Sequence, residues 1–168
     1  TMPWGSQADE ASQLIAELRQ MGVDAAGMEL DLSQPTAPAE LFAVVQERFG
    51  RANILVNNAA YSTSEDIYQL NAPSLDSHYA VNVRGMALLC QAFVRQFAEV
   101  EWVGNGRIIN ISSGQSFSPM PGELAYIASK GAIEALSLSL SAELARRGIT
   151  VNAIDPGITD TGWIPDEL

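Results

Sequence analysis

Gly106-Arg-Ile-Ile-Asn-Ile-Ser112 decides the fold. It is a short, β-branched run, continuous in its apolar character rather than alternating, as expected of a strand buried on both faces. Asn53-Ile-Leu-Val-Asn57 and Ile149 to Ile154 read the same way, as does Val23 to Leu30, which ends at Asp31. Between these runs apolar residues recur at helical spacing. The predicted helices cover residues 8–21, about Ala37 to Phe49, about Leu75 to Val100, and Leu124 to Arg147, with Gly22, Gly50 and Gly148 as stops. Residues 58–73 and 114–123 are polar or rich in Gly and Pro and read as loops. Four strands alternating with helices predict an α/β fold, a doubly wound parallel sheet covered by helices on both faces.

Composition narrows the function classes. A chain of 168 residues allows one domain or part of one. With 47% hydrophobic and 17% charged residues it falls in the globular range. No apolar run reaches the roughly 18 residues of a membrane span, and the first residues show no signal-peptide pattern. Cys90 is the only cysteine, which excludes an intramolecular disulfide and predicts a reducing, cytoplasmic setting. The formal net charge of −11 disfavours nucleic acid as a partner. Arg146 and Arg147 read as cations at a helix end, not as a phosphate site.

In parallel sheets ligands lie beyond the carboxyl ends of the strands. Those ends are Asp31, Asn57-Asn58-Ala59-Ala60, Ser112-Ser113 and Asp155-Pro156-Gly157. Tyr126 and Lys130, the one lysine of the chain, are four apart and share a helix face. An ammonium beside a phenol is expected to lower its pKa from about 10, making it usable as an acid or base. The Ser113 hydroxyl can donate to a carbonyl oxygen or accept from an alcohol. Asn82, on an apolar helix, reads first as a satisfied core amide, and also as a holder of water. Small residues at 57–60 permit close approach of a flat ligand or make an ordinary turn. Pro156 to Thr161 reads equally as a turn or as a polar binding segment. Gln115, Tyr61 and Trp163 are candidate pocket residues, with ordinary loop packing as the alternative. His78, the only histidine, offers neither a metal cluster nor a catalytic relay and receives no role.

Taken together, Asp31-Leu32, Asn57-Asn58-Ala59-Ala60, Asn82-Val83, Ile109-Asn-Ile-Ser-Ser113, Tyr126-x-x-x-Lys130 and Pro156-Gly157-x-x-x-Thr161 resemble the short-chain dehydrogenase/reductase family in order and spacing. The resemblance implies a Rossmann-like domain over residues 1–168. It also implies an oxidoreductase that interconverts a carbonyl and an alcohol with NADP or NAD by hydride transfer. Tyr126 would be general acid and base, Lys130 would lower its pKa and hold the nicotinamide ribose, Ser113 would orient the substrate oxygen, and Asn82 would anchor a water. Asp31 and Leu32 would flank the adenine, Asn57, Asn58 and Ala59 would line the adenosine half, and Ile111 would back the cofactor. Pro156, Gly157, Ile158, Thr159 and Thr161 would hold the carboxamide and pyrophosphate. Partners would be a small-molecule substrate and further copies of the chain, as a homodimer or homotetramer, with no nucleic acid or membrane.

The sequence departs from the family at Ala60, where glycine is usual. It also shows neither the Gly-rich turn of the family's first strand nor its C-terminal substrate lid. The fold is thus expected to be incomplete at both ends. In the family order 3-2-1-4-5-6-7 two strands would separate Val23–Leu30 from Asn53–Asn57, so the 168 residues alone are expected not to form a stable cofactor-binding domain. The alternatives are a non-catalytic fragment or regulator, and a nucleotide-sugar epimerase or dehydratase on the same scaffold.

Overall fold

The computed structural model describes residues 5–97 and 106–157. The chain divides into two compact units, Thr1–Asp31 and Leu32–Leu168. In the first, helix α1 spans Gly5–Gln20 and ends in a turn at Gly22, whose φ of +83° suits a residue without a Cβ. The Arg19 guanidinium donates to the Ala25 carbonyl at 2.8 and 3.1 Å, and the Ile15 side chain packs close against Gly27, so the segment after the turn folds back on its helix. Val23 to Leu30, expected as a strand, forms none. Its β-branched and apolar residues suit a strand, but a strand also needs a neighbour to exchange hydrogen bonds with, and the sheet among the described residues has three members, all from the second unit.

Those three are β1 (Ile54–Asn57), β2 (Gly106–Ile111) and β3 (Ile149–Ile154), parallel and in the order β1-β2-β3. The register sets Leu55 beside Ile108 and Ile108 beside Val151. Ile108 and Val151, with Ile149 further along β3, are buried in the core on this face. Here the sheet meets helices α4 (Met86–Arg95) and α5 (Leu124–Leu144). Met86, Leu89, Cys90 and Phe93 of α4 and Ile133 of α5 complete the core. Helix α2 (Ala37–Phe49) packs on α4, with Phe42 edge-on to Phe93 at 6.5 Å. The sequence led us to expect helices on both faces. The opposite face instead carries Ile54 and Val56, 61% and 54% exposed, so within this unit the sheet has one buried side.

The helix expected over 75–100 is interrupted. Asn71 caps α3 (Ala72–His78) by accepting from the Ser74 N–H at 3.0 Å. The chain then widens into a π-helical stretch, Tyr79–Gly85, before α4. Apolar periodicity does not announce a π-bulge, which alters the register by a fraction of a turn. At its end Gly85 lies so close to the Leu32 carbonyl that a Cβ would stand 2.7 Å from that oxygen. Helix α5 continues into a 3-10 turn, Ala145–Arg147, and stops at Gly148 with φ +67°.

Two substitutions separate these constraints. In thermal or denaturant unfolding of the protein, Gly85→Ala is expected to destabilise by about 1–3 kcal/mol, because the obstructing atom is backbone. Gly131→Ala, where a Cβ meets nothing within 4 Å in α5, is expected to stabilise by up to about 1 kcal/mol. Equal melting of the two variants would contradict the packing described.

Candidate active site

The register brings Asn57 level with Asn110, and Ile111 level with Ile154. Residues 58–60, 112–113 and 155–157 therefore all leave the same edge of the sheet. Asn58, Ala59 and Ala60 are exposed there, as are Pro156 and Gly157. Gly157 turns with φ +68°, its N–H donating to the Asp155 carboxylate at 2.9 Å. Leu32 begins the second unit and Asp31 closes the first. Ile158, Thr159, Thr161 and Trp163 lie outside the described residues.

Helix α5 carries Tyr126 and Lys130 to this edge. Lys130 is 3% exposed, and its Nζ donates to the Ile111 carbonyl at 2.7 Å. The same nitrogen lies 5.5 Å from the centroid of the Tyr126 ring. Ser113, one residue beyond Ser112 at the end of β2, hydrogen-bonds the Tyr126 side chain. Burial pushes the Tyr126 phenol above its ordinary pKa; the Ser113 bond opposes this, while the Glu123 and Asp155 charges add to it. The sequence led us to expect the reverse direction, from Lys130. Burial in turn lowers the lysine's own pKa.

Asn82, in the π-helical stretch, is 1% exposed. Its Oδ1 accepts from the Tyr61 N–H at 2.7 Å, and its Nδ2 donates to the Tyr61 carbonyl and the Ser129 hydroxyl, both at 2.9 Å. Ser129 donates to the Tyr126 carbonyl at 2.7 Å. Asn82 thus ties the loop after β1 to the turn of α5 that bears Tyr126. Behind it, Asn57 donates to Asn110 at 2.8 Å and Asn110 to Ser137 at 2.8 Å, crossing β1, β2 and α5. The Asn57 Oδ1 is buried without a protein partner. Cys90 lies beside this ladder, and burial pushes its thiol up to about 11.

Two buried residues received no role from the sequence, and a third makes contacts that match the alternative offered for it. Gln115 donates to Glu134 at 2.9 Å, and Ser112 donates to the same carboxylate at 2.7 Å, the ordinary loop packing that the sequence offered as its alternative role. His78, given no role, is fully buried with its ring edge-on to Tyr61 at 4.9 Å and to Tyr126 at 6.4 Å. Glu65 is buried and accepts from Ser74, Thr63 and the Ala125 N–H. The Ser74 bond holds its carboxyl below the usual carboxylate value against the opposing effect of burial. Nothing local in the sequence marks Glu65, since its partner Ala125 is 60 residues away.

A family model described as short chain dehydrogenase matches residues 2–166. The chain belongs to the short chain dehydrogenase family. Among curated members it is similar to the uncharacterized oxidoreductase YjdA of Bacillus subtilis, 47% identical over 165 residues, which are 98% of this chain and 65% of the relative. It is also similar to the D-beta-hydroxybutyrate dehydrogenase of Rhizobium meliloti, 33% identical over 138 residues, 82% of this chain and 52% of that one. Among solved structures, a short chain dehydrogenase from Burkholderia cenocepacia in complex with NADP superposes with a TM-score of 0.85 at 32% identity, covering 95% of this chain and 64% of that one. The chain spans 52 to 65% of the length of these two curated short chain dehydrogenase relatives. Among the described residues, no helix is long and apolar enough to cross a membrane, and no group of three or more His, Cys, Asp or Glu could hold a metal ion.

Asn82→Ala strands the Tyr61 N–H and C=O, and is expected to lower stability by about 1–3 kcal/mol in denaturant titration. Asn82→Asp is expected to do the same, since a carboxylate cannot donate to Tyr61 or Ser129. An unchanged unfolding midpoint for both would contradict this role.

Proposed function

We propose that the complete protein is a cytoplasmic NAD(P)-dependent oxidoreductase interconverting a small-molecule carbonyl and alcohol, with Tyr126 as acid and base. The observation that carries this reading is a buried lysine one helical turn from a partly buried, Ser113-bonded phenol, at the carboxyl edge of a parallel sheet. The residues present fit the cofactor. Among the described residues the Lys130 ammonium is bonded to a carbonyl, not to a carboxylate, which leaves donors for a ribose hydroxyl. The exposed Asn58 and Ala59 and the open turn at Gly157 leave room for a flat ligand at the same edge. When bound, the nicotinamide supplies or accepts the hydride.

Under this reading residues 1–168 form part of one Rossmann-like domain. Lys130 holds the ribose and Ser113 orients the substrate oxygen. Asp31 and Leu32 flank the adenine, Asn57, Asn58 and Ala59 line the adenosine half, and Ile111 backs the ring system. Pro156, Gly157, Ile158, Thr159 and Thr161 hold the carboxamide and pyrophosphate. The Asn82 amide is already bonded to Tyr61 and Ser129, so a water in the proton path falls to the main chain of the π-helical stretch. In the reductive direction Tyr126 would give its proton to the carbonyl oxygen. In the oxidative direction the phenolate removes the hydroxyl proton. A pKa raised by burial keeps the phenol protonated at neutral pH, which suits reduction. Exposed Leu138 on α5 suits pairing with another copy, as a homodimer or homotetramer.

Tyr126→Phe in the complete protein is expected to abolish turnover while NAD(P)H binding, followed by nucleotide fluorescence, persists. Reduction requires the protonated phenol, and burial raises its pKa, so kcat for reduction is expected to hold through neutral pH and fall only on the alkaline side of the ordinary tyrosine range, with oxidation rising over the same interval. Wild-type turnover by Tyr126→Phe would defeat the mechanism.

A further inference from the structure

Glu123, the residue preceding α5, makes no side-chain cap. A carboxylate from far upstream takes that place: Glu65 Oε1 accepts from the Ala125 N–H at 3.3 Å, immediately before Tyr126. The backbone seals the same junction, with the Glu65 N–H donating to the Gly122 carbonyl at 2.7 Å and a parallel bridge between Glu65 and Glu123. The other carboxylate oxygen accepts from Thr63 Oγ1 at 2.9 Å and from Ser74 Oγ of α3 at 2.7 Å.

His78 closes the circuit. Its Nδ1 lies 2.8 Å from the Ser74 carbonyl, and its Nε2 lies 3.3 Å from the Thr63 backbone nitrogen. A carbonyl can only accept and an amide N–H can only donate, so the partners fix the ring as the neutral Nδ1–H tautomer. The ring stands edge-on to both Tyr61 and Tyr126. One carboxylate and one imidazole therefore join three elements: the loop at 61–65, helix α3, and the first turn of α5.

We propose that Glu65 and His78 are a pair of positioning residues that fix the Tyr126 ring and the Tyr61 ring relative to each other, so that the proton donor meets the substrate oxygen in one orientation. This rests on Tyr126 being the acid and base. Neither residue touches the reacting atoms. A hydroxyl displaced by about 1 Å can lose a hundredfold in rate, which is the scale at which such a clamp matters.

The test is steady-state kinetics on the complete protein, with kcat expressed per NAD(P)H-binding site so that unfolded molecules do not count. Glu65→Gln keeps the shape but halves the accepting oxygens, and His78→Phe keeps the ring packing but loses both hydrogen bonds. Each is expected to lower kcat about ten- to a hundredfold with cofactor affinity unchanged. His78→Gln, whose amide oxygen can take the place of Nε2 and accept from Thr63, is expected to recover most of the loss, whereas His78→Asn cannot reach. Ser74→Ala, which removes one hydroxyl from Glu65, gives a milder version should the first two fold poorly. The proposal is overturned if kcat per binding site stays within about twofold of the parent in these variants, including the case where activity and binding sites are lost in step. It is also overturned if His78→Gln and His78→Phe behave alike. Failure of the acid and base reading itself would show separately, as turnover surviving in Tyr126→Phe.

Discussion

The molecule is organised around a buried positive charge. The Lys130 ammonium sits where water is largely excluded, with one of its donors bonded to the Ile111 carbonyl at the last residue of β2. Removing a charge from water is expensive, and a carbonyl dipole offsets only part of the cost. The arrangement needs α5 to cross the sheet at one height and one rotation, since a shift of one residue along the helix would swing the ammonium about 100° away. The packing of Ile133 on the sheet, the Asn110–Ser137 bond and the Ser129–Asn82 bond all set that rotation.

This burial also accounts for the electrostatics of the phenol. In water an ammonium four residues along a helix would ease ionisation of a tyrosine. Here the surroundings that dehydrate the lysine dehydrate the tyrosine as well, and Glu123 and Asp155 oppose a second negative charge. The phenol consequently keeps its proton more firmly than a free tyrosine. Ligand binding that adds charge or polarity at this edge would act on that balance directly.

Much of this was legible in the sequence, because strand ends in a parallel sheet converge and a Tyr-x-x-x-Lys spacing fixes a helix face. The three strands that pair were readable as short, largely apolar and β-branched runs, and Ser113, Tyr126 and Lys130 come together at the strand ends. Three kinds of information were missing. Val23 to Leu30 has strand-like residues, but a strand exists only with a partner, and propensity does not report partners. The Glu65 cap and the His78 contacts depend on side chains meeting across loops whose sequences have no period. The π-helical stretch escaped because its residues remain apolar at nearly the right spacing while the hydrogen bonding has changed.

The sheet has one more property, set by what lies against it. Strand β1 pairs with β2 on one side only among the described residues, and its Ile54 and Val56 are largely open to solvent. An uncovered edge with apolar residues beside it is a template on which another extended segment can add, through main-chain bonds that are indifferent to sequence. A segment that paired with that edge would guard against self-association as well as add stability. The colloidal behaviour of the protein is therefore tied to the integrity of the strand whose carboxyl end, Asn57, enters the candidate site.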